Sequence, residues 1–279
     1  MKDKLTAQYE FSFFNRNLAF TFLILITISV LYSCQKEQQK ITLNGFAKGL
    51  NGYVIGIQLN DSTIASENVI NDQFTISTML PRKDFYTLKI WPSNGSGSSQ
   101  AFSVYLSEGE CSVRMDSTSV EKYPEIVSNS SIQNDLTKYY LIKEENTAAF
   151  QRKYALAKKD YDDNFLHSEG AAFDKLTADF AESESNLRKS IDYSKKEFIT
   201  HNRESTVSAY FLSNSFPDME YQPGPYLKLF NALSGDVKKS KYGSTVKNLL
   251  SKYNKAAVNT SCQTSQDPVS TVSDLIKTL

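Results

Sequence analysis

Hydrophobic and polar positions follow two different periods in the two halves of this chain. In the first half, Tyr53, Ile55, Ile57 and Leu59 alternate with Val54, Gly56 and Gln58, the period-two pattern of a strand with one face buried. Asn60-Asp61 and Asn71-Asp72 read as turns on either side of a β-branched run at 63–70, and Phe74 and Ile76 follow before Pro81 closes the segment. Residues 85–91 (FYTLKIW) carry the densest strand signal of the chain. A glycine- and serine-rich loop at 93–99 separates them from Phe102, Val104 and Leu106, and Glu108-Gly109 turns the chain into Cys111, Val113 and Met115. Short strands at this spacing, with no helical pattern between them, predict an antiparallel sandwich or barrel-like sheet.

The second half switches to a spacing of threes and fours. Ser128-Asn129-Ser130-Ser131 offers N-cap residues. Ile132, Leu136, Tyr140, Phe150, Tyr154, Ala157 and Tyr161 then form a stripe that Lys143 and Thr147 interrupt. Ser168-Glu169-Gly170 breaks it, and Phe173, Leu176, Phe180, Leu187, Ile191, Ser194 and Phe198 form a second one. Two long amphipathic segments with a short break between them predict an antiparallel helical hairpin. Shorter helices are expected at 205–213, 226–233 and 244–253, separated by Pro217 and by Pro223-Gly224-Pro225, whose missing amide donors end helices. After Ala257 the pattern turns polar, which reads as a linker or disordered tail.

Ahead of the strands lies an apolar run from Leu18 to Tyr32, short for the ~20 residues of a membrane span. It ends in Leu31-Tyr32-Ser33-Cys34, which is similar to a bacterial lipobox, and the polar run Gln35-Lys36-Glu37-Gln38-Gln39-Lys40 follows as a tether would. Lys2, Lys4 and Arg16 precede the run, as in an export signal. On this reading Cys34 becomes the lipidated first residue of an exported protein. The expected organisation is α+β. A signal peptide at 1–33 and a tether at 34–40 lead into the β domain at 41–127, and a helical region at 128–257 and a polar tail at 258–279 follow.

Composition narrows the function classes. Beyond residue 33 the chain carries 28 basic and 29 acidic residues, a balance that gives no electrostatic reason to expect nucleic acid or anionic lipid as a partner. With Cys34 lipidated, one disulfide is possible, Cys111 to Cys262, but a strand position and a polar tail favour two separate thiols. No Cys-x-x-Cys is present. His167 and His201 stand apart without neighbouring ligands and read as helix surface residues. Neighbouring acids such as Asp162-Asp163 point to different helix faces. No catalytic set, cofactor site or metal site is expected.

Asn44-Gly45, Gly49-Leu50-Asn51-Gly52-Tyr53 and Asn71-Asp72-Gln73-Phe74, behind the lipobox, carry a resemblance. They are similar to the small β domain of unknown function at the front of many Bacteroidetes lipoproteins, where it and a helical segment usually precede a thioredoxin-like domain of the thiol-specific antioxidant type. The helical half resembles that family at His201-Asn202-Arg203-Glu204-Ser205 and at Val237-Lys238-Lys239-Ser240-Lys241-Tyr242-Gly243. The likeness covers residues 34–257. Arg203 stands where the family motif often has proline, and Asp72 where it often has glycine. No Trp-Cys-x-x-Cys exists to which the family's redox activity could be carried over.

The resemblance implies a lipid-anchored envelope protein at the outer membrane. Gln35-Lys36-Glu37 is similar to the tether of surface-exposed lipoproteins in this group, although Gln38 replaces a second acidic residue, so surface display is expected slightly ahead of the periplasmic face. Asp61-Ser62-Thr63 and Asp116-Ser117-Thr118 resemble O-glycosylation sites of exported Bacteroidetes proteins, with Ser62 and Ser117 as acceptors. The leading expectation is a non-catalytic interaction or scaffold role with a protein partner in the envelope. One alternative is a truncated or partner component of a thioredoxin-like thiol-disulfide system. The other is a binding protein for a small apolar or glycan ligand, served by the Tyr- and Phe-rich surfaces.

Overall fold

The computed structural model describes residues 39–215, 218–219 and 222–264, with side chains of the last helix up to Tyr253. Its strands are β1 Gln39–Lys48, β2 Tyr53–Leu59, β3 Ser62–Asn68, β4 Gln73–Leu80, β5 Asp84–Pro92, β6 Gln100–Leu106, β7 Gly109–Asp116 and β8 Glu125–Ser128. They form two four-stranded sheets, ordered β4-β1-β7-β8 and β3-β2-β5-β6. The chain crosses from one sheet to the other after β1, β3, β4 and β6. This interleaving packs the sheets together: Ile41, Leu43, Ile76 and Val113 from one share a core with Ile55, Ile57, Leu88, Ile90 and Val104 from the other. The expected α+β architecture, with an N-terminal sandwich-like β domain, is therefore present.

One ladder departs from the antiparallel expectation. β1 runs parallel to β7, with Leu43 opposite Cys111. β7 reaches that position by a long excursion through the other sheet, the kind of crossover that parallel neighbours need. β1 alternates the buried Ile41, Leu43 and Ala47 with Lys40, Thr42 and Asn44, whereas β8, four residues long, carries little pattern of its own and becomes a strand by pairing with β7. At Gly45 the ring of Phe74, its neighbour across the ladder, lies 1.8 Å from where a β-carbon would stand, so this strand position is closed to any side chain.

Both Asn-Asp pairs form the tight turns expected of them. Asn60 and Asp61 have φ of 48° and 63°, and Asn71 and Asp72 have 52° and 60°, the left-handed values of a two-residue hairpin turn. Asp72, where the resembling family often has glycine, uses its side chain. Its carboxylate accepts from the Gly49 amide (3.0 Å) and the Asn51 amide side chain (2.7 Å), tying two turns together.

The helices are α1 Ser131–Asn164, α2 Gly170–His201, α3 Thr206–Ser213, α4 Pro223–Ala232, α5 Gly235–Lys239 and α6 Lys241–Thr264. Ser130 caps α1 by accepting from the Gln133 amide. α1 and α2 form the expected hairpin. Thr147, which interrupts the apolar stripe, lies fully buried in it because its hydroxyl donates to the Lys143 carbonyl of its own helix at 2.7 Å. α6 continues past Ala257 to Thr264, a correction to the expected tail at that point. Residues 258–264 contain neither glycine nor proline, so the polar pattern there holds no helix-stop signal.

Candidate functional site

β6 is an edge strand, and such an edge presents a row of unpaired backbone groups. Here the helical half covers it with side chains. Gln133, on the first turn of α1, accepts from the Tyr105 amide at 2.7 Å through its carbonyl oxygen. Its amide donates to the Tyr123 hydroxyl (2.9 Å) and to Thr137 (3.1 Å). The Tyr123 hydroxyl in turn donates to the Ser103 carbonyl at 3.1 Å. Two turns of helix beyond Gln133, the Tyr140 hydroxyl accepts from the Ser103 amide at 3.2 Å. Burial raises the pKa values of Tyr123 and Tyr140, so both hydroxyls stay protonated at any ordinary pH.

The rings of these residues pack on one another. Tyr123 stacks on Tyr140 with centroids 3.8 Å apart, and Phe85, beside Tyr105 across the β5–β6 ladder, stacks on Tyr210 at 3.7 Å. The concavity that Phe102, Tyr123 and Tyr140 help line holds about 70 Å³, far below the ~300–1,000 Å³ of a ligand pocket. These aromatics join the two halves of the protein.

A second contact locks the same junction. Asp84 opens β5 with its side chain 4% exposed. One carboxylate oxygen accepts from Arg82 Nε at 2.6 Å and Lys241 Nζ at 2.5 Å, and the other from the Phe85 amide at 3.0 Å and the Tyr242 hydroxyl. Burial alone would raise the Asp84 pKa, but the bonds from Lys241, Tyr242, Arg82 and the Phe85 amide outweigh it and hold the carboxyl below its ordinary value. Lys241 and Tyr242 begin α6, so this carboxylate fastens the last helix to the β domain.

Beyond the junction, α1 and α2 leave as an arm. At its foot, Asn146 donates to Glu197 at 2.7 Å, and Lys143 lies beside α2, its pKa lowered by burial and then by the charge of Lys195. Toward its tip, Tyr161 stacks on Phe180 and Phe165 meets Phe173. No helix among the described residues is long and apolar enough to cross a membrane.

The direction of the arm follows from its neighbours. Gln39 and Ile41, at the start of β1, line a cleft of about 450 Å³ together with Ser130, Ser131 and Ile132 at the start of α1. Fourteen residues into α1, Glu144 pairs with Lys122 at 2.9 Å and borders a second cleft with Phe46, Lys48 and Asp116 at the far end of β1. α1 therefore travels along β1 and overshoots it, and the arm's tip lies at the end opposite Gln39. In the first cleft the Ser128 hydroxyl accepts from the Ser130 amide just ahead of α1, and the Ser130 hydroxyl caps the helix by accepting from the Gln133 amide.

Cys34 lies outside the described residues. Ser62 and Ser117 are both exposed, Ser62 at the start of β3 and Ser117 in a 3₁₀ turn whose preceding residue, Asp116, accepts from the Thr118 amide at 2.9 Å. They sit on separate turns, one beside each sheet. Cys111 is a buried free thiol, and burial pushes its pKa up to about 11, which leaves little thiolate at neutral pH. Cys262 falls in α6, where side chains are not described. His167 and His201 are exposed, and His201 Nδ1 lies 2.9 Å from the Glu197 carbonyl. Among the described residues no group of three or more His, Cys, Asp or Glu could hold a metal. Sequence reasoning missed Asp84, Gln133 and Tyr123. The available signal was an acidic residue directly before the densest strand run, with Arg82 two positions ahead of it.

No protein-family model matches the chain, and no curated protein matches it.

Asp84→Ala leaves the Tyr242 hydroxyl and the Phe85 amide without their acceptor and is expected to cost about 1–3 kcal/mol of stability, read by denaturant unfolding at neutral pH. Because the folded-state pKa of Asp84 is depressed, its contribution is present above the unfolded-state value near ~3.9 and drains away as pH falls through the lower folded value. The difference between wild type and variant should therefore shrink only below about pH 4. An equal difference at pH 7 and pH 2 would contradict the assignment.

Proposed function

We propose that this chain is a lipid-anchored cell-envelope protein with a non-catalytic docking role, its β domain a platform at the anchor end and its helical arm the reach. The observation that carries the reading is the placement of Gln39 and the arm's tip at opposite ends. Cys34 precedes Gln39 by five residues, which span at most about 18 Å when fully extended. A domain so tethered stays close to the membrane. Of the 34 residues of α1, about 20 lie beyond Glu144 and add about 30 Å, directed away from the anchor end. The junction is built to hold that direction, since its buried carboxylate and edge-capping side chains form specific bonds in place of a sliding apolar contact.

The chemistry of the site points the same way. In the first cleft Ser130 serves as the cap of α1, Cys111 is a poor nucleophile, and the aromatics pack against each other. The resemblance to β domains of Bacteroidetes lipoproteins supports an outer-membrane location, with the arm on the cell surface.

Three experiments test these proposals. Cys34→Ala in the full chain should abolish incorporation of a labelled fatty acid and release the protein from the membrane fraction, while labelling that persists in the variant would refute the anchor. Protease applied to intact cells should cleave exposed segments of the chain, and full protection until lysis would assign the protein to the periplasmic face. Ser62 and Ser117 are exposed at turns able to carry a sugar, and when both become alanine the intact mass should fall by the mass of the sugars, beyond the two hydroxyl oxygens lost. A wild-type mass equal to the lipidated polypeptide alone would end the glycan proposal.

A further inference from the structure

The arm is electrically polarised along its length. Residues 158–186, which make up its distal part, contain eight acidic and three basic residues, a net charge of −5 with histidine neutral. Residues 187–203, where α2 returns to the foot, contain five basic and two acidic residues, a net of +3. On α1 the foot, residues 131–157, adds four basic and three acidic. The whole chain is neutral, so this is separation of charge and not excess.

Much of this charge is available at the surface. Asp174, Asp179 and Glu182 are exposed toward the tip, and among the described residues they enter no ion pair. At the foot Arg188 and Lys189 are exposed, and Lys189 and Lys195 enter no ion pair among the described residues. Lys189, Lys195, Ile191 and Tyr226 line an open groove between α2 and α4. At the level where the sign changes, the arm exposes Leu156 (70%), an apolar residue facing away from the hairpin seam.

We infer that the partner of the arm is a second copy of this chain, laid antiparallel so that the acidic tip of each lies on the basic foot of the other. This rests on the docking role proposed above and names its occupant. The arrangement is two-fold symmetric and closed: each copy offers the same tip and the same foot, so two complementary contacts form at once. A parallel pair would set tip against tip and foot against foot, which like charges oppose. An overlap of about 20 residues on a two-helix face about 20 Å wide buries on the order of 600 Å² per copy, at the lower edge of specific interfaces. The pair is therefore weak, salt-sensitive and reversible. Because the anchor end and the tip are opposite, the two anchors of a pair point away from each other, which suits contact between copies on facing membranes.

Charge reversal tests this on the full lipidated chain in detergent, by sedimentation at 50 mM and 500 mM salt. The wild type should form dimers at low salt, with a dissociation constant rising about tenfold or more at high salt. A foot variant (Lys189→Glu with Lys195→Glu) and a tip variant (Asp174→Lys with Asp179→Lys) should each be monomeric alone at concentrations where the wild type pairs. Mixing the two variants should restore a heterodimer, because each then offers the charge the other has reversed. All four positions lie outside the core, and unchanged circular dichroism and unfolding curves would confirm that both variants fold. A monomeric wild type at low salt, or dimers indifferent to salt and to both reversals, would overturn self-pairing. If the chain stays monomeric while the tip variant loses envelope proteins cross-linked to the wild type, the docking arm stands and the second copy as its partner falls.

Discussion

The uncovered edge of β6 is the constraint around which the rest of the protein is arranged. A sheet that ends in a free strand invites pairing with another chain, and proteins blunt such edges with charge, short strands or a covering element. Here the covering element is a helix, which has no backbone groups of its own to spare for a strand. Side chains must supply the missing partners. Gln133 and Tyr123 reach Tyr105 and Ser103, and Tyr140 reaches the Ser103 amide. Gln133 is fully buried, yet its carbonyl oxygen and its amide group are both engaged, so its desolvation is offset bond for bond. Once these bonds set the position of α1, the position of the hairpin follows.

Asp84 does for α6 what Gln133 does for α1, at a higher electrostatic stake. A carboxylate removed from water is costly unless its lone pairs are filled. Four donors fill them, two of them cationic, and the depressed pKa shows that the donors win over desolvation. Two of the four, Lys241 and Tyr242, come from a helix about 157 residues further along the chain. The helical half can therefore dock in one register only, because a slip of one residue at either end would strand a buried charge. The cations themselves are more than half exposed on their side chains, so they relax into water readily. The cost of a mismatch falls mainly on Asp84.

What the sequence reveals and what it hides divide along the same line. Period-two alternation identified β2, β5, β6 and β7 because each has one face on a shared core, and the Asn-Asp turns announced themselves by residues that tolerate positive φ. The hairpin was legible from its seam. β8 was hidden because a strand of four residues shows little alternation, and the parallel β1–β7 ladder leaves no local mark. The junction was hidden for the same reason as that ladder. Gln133 reads as an ordinary helix residue and Asp84 as the solvated lead-in to a strand, and only tertiary structure brings the Tyr105 amide to the one and Lys241 and Tyr242 to the other. The tail misleads in the opposite way: a polar run reads as an end, yet backbone helicity needs no apolar stripe.

The hairpin itself carries a gradient of stability that matches its proposed use. Near the foot it borrows order from the rest of the molecule: Leu136, Tyr139 and Phe198 belong to the same buried cluster as Phe85, Tyr105, Val207 and Val246. Further out, Thr147, Ser190 and Ser194 line the seam, small residues whose hydroxyls turn back to carbonyls of their own helix, so the two helices approach closely without adding much apolar area. Beyond them the seam depends on Leu176 and on the rings of Tyr154, Tyr161, Phe165, Phe173 and Phe180. A segment held by its own seam opens at lower free energy than one built into a core. The junction is thus the rigid end and the tip the yielding one, and an acidic, yielding tip on a fixed foot can adjust to a partner's surface without disturbing the platform that aims it.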